Sequence, residues 1–182
     1  PLAKDLLTIC EGVHYRQPLI AKIVSAGITT DIPGTIHWLE SLPNLTDHQG
    51  CQSANILPNE PTNQFEQYQN ALRSATKPVV RTWLARIIAG HYEKTDETKL
   101  LEFAETLKGD PKLTVLSKLA QIQLDRDHPG AIDLLLQYED LNINLNDIVR
   151  RNPARYLEAI LPSIREDDVT KRFELRPIIK EW

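Results

Sequence analysis

The sequence predicts an all-α fold, and three observations carry that prediction. Prolines stand where helices begin, the apolar residues after them recur with helical spacing, and no stretch sustains the polar-apolar alternation of a strand. Proline is welcome in a first helical turn, where its missing N–H would have had no partner and its fixed φ suits the helix. In Asp31-Ile32-Pro33, Asn59-Glu60-Pro61, Thr76-Lys77-Pro78 and Asp127-His128-Pro129 a capping side chain stands two residues before the proline. Asp110-Pro111 and Asn152-Pro153 do the same without a spacer. Each junction predicts a helix start, because an Asp, Asn or Thr oxygen can accept a first-turn N–H that has no partner within the helix.

From the N-terminus, Leu2, Leu6, Cys10 and Val13 form one apolar stripe, and a group of about three helices is expected before residue 43. Pro43 to Pro58 has little periodicity and is long for a connection inside a domain, which marks a mobile or functional loop. Beyond it, Val79, Val80, Trp83, Leu84, Ile87 and Ile88 make a core-facing stripe with Lys77, Arg81 and Arg86 off it. Similar stripes follow at Leu100, Leu101, Ala104 and Leu107, at Leu113, Leu116, Leu119, Ala120 and Gln123, and at Ile132, Leu135 and Leu136. Burying four or five large side chains of one stripe contributes roughly 6 to 12 kcal/mol before chain entropy is subtracted.

Composition bounds the class. The 182 residues include 41% hydrophobic and 25% charged residues, close to globular averages. No run approaches the 18 apolar residues of a membrane helix, and Pro1 to Cys10 lacks the pattern of a signal peptide. A net charge of −4 with both signs mixed gives no basic field for phosphate-driven binding, so the default partner is protein. Two cysteines, Cys10 and Cys51, fit reduced thiols and a cytoplasmic setting better than a disulfide framework. The lack of methionine points to a segment of a longer polypeptide.

Predicted helix starts fall at nearly even intervals, near positions 61, 78, 95, 111 and 129, so a helix pair with its turns occupies roughly 34 residues. Leu84-Ala85-Arg86-Ile87 is echoed about one such pitch later as Leu119-Ala120-Gln121-Ile122. This pitch, and the Leu-Ala pair followed by Ala131 and Leu135, resemble a degenerate tetratricopeptide repeat from about position 78 to 146. The aromatic signature positions are mostly replaced, and HEAT-like pairs share the same pattern. The resemblance implies short antiparallel helix pairs stacked as an α-solenoid. A division into a less regular N-terminal helical segment, 1–58, and a repeat array, 59–182, is expected.

The sharpest chemical constellation is Cys10, His14, His48 and Cys51, four residues of the type that tetrahedral zinc takes. Cys10 on an apolar stripe is more simply a buried thiol. Neither cysteine sits in a catalytic signature. His91 continues the stripe of its helix as a core-edge residue, and His37 and His128 are expected at helix ends in solvent. The paired carboxylates Glu102 and Glu105 face away from their helix's stripe, while Glu139 with Asp140 and Glu166 to Asp168 read as caps or linkers. No phosphate loop, zinc-protease motif or nucleophile elbow is present, so no enzyme activity and no cofactor are expected.

Arg150, Arg151, Arg155 and Tyr156 offer an alternative, a nucleic-acid-associated regulatory surface. From residue 146 to 182, however, eight basic residues face seven acidic ones, as on a solvated helix face. The leading expectation is a protein-interaction or scaffold module that binds a peptide or protein on the helical-repeat surface. Its contact residues are expected on first helices of successive hairpins, at Arg81, Arg86 and Gln121. Zinc-supported folding through Cys10, His14, His48 and Cys51 is the second alternative.

Overall fold

The computed structural model describes residues 13–43, 45, 64–96, 98–126, 128, 130–138, 141 and 143. Among them there are seven α-helices and no strand: α1 (Val13–Ile28), α2 (Ile32–Ser41), α3 (Phe65–Ser74), α4 (Pro78–Thr95), α5 (Thr98–Glu105), α6 (Asp110–Asp125) and α7 (Gly130–Gln137). The chain divides into two compact units, Pro1–Val115 and Leu116–Trp182, with the boundary inside α6. The expected boundary at residue 58 lies outside the described residues. No helix among the described residues is long and apolar enough to cross a membrane.

In the first unit each helix from α1 to α5 packs on the next, α3 against α4 most extensively, and α2 also touches α4. Helices in contact and joined by two or three residues are αα-hairpins. The core follows from this order. Helix α4 is buried almost all round through Val80, Trp83, Leu84, Ala85, Ile87 and Ile88. Its neighbours bury one face each: Ile32, Ile36 and Leu39 from α2, Tyr68, Ala71 and Leu72 from α3, and Leu100 and Ala104 from α5. Leu101, expected in the stripe of α5, is instead 47% exposed. This helix makes barely two turns, and Leu100 and Ala104, one turn apart, already cover its buried side. In the second unit Leu116, Leu119, Ala120, Ile122, Ala131 and Ile132 are buried.

Three proline junctions fall within the described residues, and Pro33, Pro78 and Pro111 each stand in a first turn, but only one has the expected cap. Asp31 caps α2 as predicted, its Oδ1 accepting from Gly34 N at 2.9 Å, with Pro33 in the first turn. Thr76 does not cap α4. Its hydroxyl donates instead to Glu40 Oε2 at 2.6 Å, and the backbone N–H groups of Thr76 and Lys77 donate to Glu40 Oε1, each at 3.1 Å. The two residues that lead into α4 are therefore held by a carboxylate from the last turn of α2. Lys77 reciprocates, its Nζ donating to Leu39 O at 3.5 Å and to Leu42 O, where α2 runs out of intrahelical donors. Arg81 Nη1 closes α3 in the same way, donating to Leu72 O at 3.3 Å and Ala75 O at 3.1 Å.

At α6 the position before the helix belongs to Gly109, not Asp110. Gly109 has φ 62, a left-handed value that glycine adopts without strain, and its carbonyl accepts from Leu113 N at 3.2 Å. Asp110 stands in the first turn, where a carboxylate suits the helix dipole. At α7, Asp127 lies outside the described residues and His128 Nδ1 accepts from Gly130 N at 3.1 Å. His128 is exposed at that helix end, as expected, and His37 is exposed but within α2. The predicted start at residue 61 and the junction at Asn152-Pro153 lie outside the described residues; the helix nearest the former begins at Phe65.

Evenly spaced starts give way to alternation. From α3 to α7 the helices are short and long in turn, with 10, 18, 8, 16 and 8 residues. The two-helix pitch survives, because the steps from Phe65 to Thr98, from Pro78 to Asp110 and from Thr98 to Gly130 are almost equal. Burial repeats with it on the short helices, where Tyr68, Leu100 and Ile132 are buried at equal intervals. On the long helices the buried set Val80, Leu84, Ala85 and Ile87 of α4 reappears as Val115, Leu119, Ala120 and Ile122 of α6, shifted a little beyond the step between the helix starts.

Two substitutions test these contacts. Glu40→Ala removes the acceptor of three backbone or hydroxyl donors and lowers the unfolding free energy by about 1–3 kcal/mol in urea titrations; a loss below about 0.5 kcal/mol contradicts that role. Tyr68 is 0% exposed and its hydroxyl has no hydrogen-bond partner among the described residues, while burial raises its pKa. Tyr68→Phe deletes a desolvated polar atom without opening a cavity, so the melting temperature stays level or rises. A clear drop in melting temperature reveals a partner for that hydroxyl.

Candidate functional site

Two grooves flank α3, both within the first unit. The more strongly charged one lies between α3 and α5 over α4 and has a volume of about 540 Å³, in the range of small binding clefts. Arg73 and Gln69 come from α3, Arg81 and Tyr92 from α4, and Lys99 and Phe103 from α5. The second groove, about 600 Å³, lies between α2 and α3 and is lined by Pro33, Ile36, His37, Gln67, Asn70 and Ser74, among others.

Aromatic packing ties together the helices around the first groove, and two of its rings, Tyr92 and Phe103, line it. Phe65 stacks on His91 with ring centroids 4.0 Å apart, meets Tyr92 edge-on at 5.2 Å, and Tyr92 in turn tilts against Phe103 at 5.7 Å. These contacts join α3, α4 and α5 through half-buried rings, and the Phe65–Tyr92 pair has the edge-on geometry that ring quadrupoles favour. Gln69 Nε2 donates to Tyr92 Oη at 3.1 Å and fixes the ring's polar end.

The rim is cationic. Arg73 Nη1 donates to Asn70 Oδ1 at 2.9 Å, one helical turn back. Lys99 pairs with Asp96 at 3.1 Å, and Asp96 also accepts from Thr98 Oγ1 at 2.6 Å. The Thr98 hydrogen bond, followed by that of Lys99, holds the Asp96 carboxyl below its ordinary value. This cluster organises the start of α5, which lies three residues beyond the expected one. Against Arg73, Arg81 and Lys99 stand two carboxylates, Glu102 in the groove lining and Asp96 paired with Lys99. Three donors in the Arg81 fork lie beyond the nitrogen that closes α3.

The contact residues expected from the sequence are distributed unevenly. Arg81 lines the first groove, but one of its nitrogens is committed to α3. Arg86, half-buried on α4, does not line it and is engaged elsewhere. Gln121 belongs to the second unit, where its Nε2 donates to Asp125 Oδ1 at 3.1 Å. Arg150, Arg151, Arg155 and Tyr156 lie outside the described residues, as do Cys10, His48, Cys51 and the side chain of His14. Among the described residues no group of three or more His, Cys, Asp or Glu side chains gathers as a metal site would require. Glu102 and Glu105 are exposed, as their positions on α5 predict.

Sequence reasoning missed Arg73, Gln69, Tyr92, Lys99 and Phe103. Each stands off the buried stripe of its helix, and the signal that unites them is the pairing of α3 with α5 across α4. Comparison with protein-family models, curated proteins and solved structures finds no match.

Burial lowers the pKa of His91 below its ordinary value. Protonating it costs the folded chain more than the unfolded one, so the histidine is neutral and silent above about pH 6.5. As pH falls below that, the unfolded state takes up the proton first and stability declines. His91→Gln removes this component. Melting temperatures of the native chain should therefore fall more between pH 7.5 and pH 5 than those of the variant, and equal falls contradict the burial of the imidazole.

Proposed function

We propose that this chain is a helical-repeat interaction module, an α-solenoid of short and long helices related to tetratricopeptide-type arrays in architecture, which binds a peptide or protein segment on its surface in the cytoplasm. The observation that carries the reading is the open groove between α3 and α5 over α4, where exposed Arg73, Lys99, Glu102 and Thr106 stand around the buried Leu72 and Leu107.

Three features support it. The nearly constant two-helix pitch, with burial on the short helices repeating at the same step, is that of stacked helical hairpins. Consecutive packing from α1 to α5, with the added contact between α2 and α4, is the neighbour-only order that such stacks use. The groove combines the apolar Leu72 and Leu107 with polar and charged side chains, the composition of a recognition surface. A chain of net charge −4 makes protein the favoured partner over nucleic acid.

Thr106 is exposed on the groove wall, so Thr106→Trp fills the groove from the solvent side while leaving Leu100 and Ala104 in place. A random peptide library selected on the native chain should yield binders that lose at least about tenfold in affinity on this variant, with helical circular dichroism unchanged. Binders that hold both proteins equally, or a library that yields none, defeat the reading.

A further inference from the structure

The two grooves share one wall, the exposed ridge of α3. Asn70 lines the groove towards α2, Arg73 lines the groove towards α5, and the hydrogen bond between them crosses the ridge. The chemistry changes from one side to the other. On the α5 side Arg73, Arg81 and Lys99 outnumber Glu102 and the Asp96 that pairs with Lys99 by one charge, so the wall favours carboxylates. On the α2 side His37, Gln67, Asn70 and Ser74 surround Pro33 and Ile36, and the one carboxylate, Glu40, already accepts from Thr76 and Lys77. That side suits uncharged polar groups that both donate and accept.

We infer that the partner is a single extended polypeptide segment lying across α3, with an acidic stretch in the α3/α5 groove and an uncharged polar stretch in the α2/α3 groove. The inference rests on the interaction-module reading and names the chemistry that module selects. Charge complementarity argues for the acidic half, since the chain as a whole is acidic while this wall is not. A polynucleotide fits less well, because Glu102 stands in the groove and Tyr92 is already packed against Phe65 and Phe103. Occupying both grooves converts the second contact into an intramolecular one, which raises affinity through effective concentration.

Fluorescence anisotropy on the full chain tests this with five labelled probes and one competitor. The probes are the pentapeptides Asp-Glu-Leu-Glu-Asp and Ser-Gln-Ala-Asn-Thr, the decapeptides joining them in either order, and a Lys-Arg-Leu-Arg-Lys control; the competitor is a ten-nucleotide single-stranded uridine RNA. One decapeptide order should bind at least about tenfold more tightly than the acidic pentapeptide, weakening as salt rises. Arg73→Glu with Lys99→Glu should reduce that affinity at least about tenfold, with Arg73→Gln and Lys99→Gln serving if the reversal disturbs the helical signal. Gln67→Ala, exposed in the α2/α3 groove alone, should remove the gain from joining while leaving the acidic pentapeptide's affinity in place. The inference is overturned if neither order exceeds the acidic pentapeptide, if the basic control binds as well, or if the RNA binds more tightly and displaces the peptide. Library binders that depend on the groove but are not acidic overturn it too, and leave the interaction-module reading standing.

Discussion

The first unit depends on an exchange of caps between helices that are not neighbours in sequence. Glu40, in the last turn of α2, receives the amides that open α4, and Lys77, at the opening of α4, satisfies the carbonyls that close α2. A helix end leaves several backbone groups without intrahelical partners, and burying them unpaired is expensive. Here the cost at two ends is met by one pair of side chains, 37 residues apart in sequence. The exchange fixes where α4 begins relative to α2, and α3, which lies between them in the chain, must fit that spacing. Arg81 then closes α3 from one turn further along α4, so all three ends are tied to the same short stretch.

With its start fixed in this way, α4 can serve as the element around which the others pack. Its small residues Ala85 and Ala89, both buried, permit close approach, while Leu84 and Ile88 fill the space between helices. Gly27 plays a comparable part at the turn from α1 to α2. A Cβ there would lie 2.3 Å from Thr35 Oγ1, and Thr35 is buried with that hydroxyl donating to Asp31 O at 2.7 Å. Glycine is the residue that lets the two helices meet at this distance.

Much of this was legible in the sequence because it is local. Asp31 with Pro33, and Pro78 in the first turn of α4, mark helix starts through chemistry confined to a few residues. The stripe from Val80 to Ile88 follows from helical spacing alone. What was not legible depends on distant partners. Thr76 has the side chain of a cap, but a carboxylate 36 residues earlier claims it. Asp96, Thr98 and Lys99 organise the start of α5 among themselves, which moves it past the position that even spacing assigned. Leu101 has the composition of a core residue, yet a helix as short as α5 needs only Leu100 and Ala104 to cover its buried side. The groove was hidden for the same reason: Arg73 and Lys99 are ordinary surface cations until α3 and α5 are known to flank α4.

The alternation of short and long helices divides the burden of selection. Residues of α4 are enclosed on nearly every side, so most changes there disturb packing, whereas α3 and α5 bury one narrow face and turn the remainder outward. Positions on the short helices can drift, or be recruited to a new partner, with little effect on folding. A fold built this way can keep its architecture while its surface changes, because its core asks only for a sparse rhythm of small and aliphatic residues.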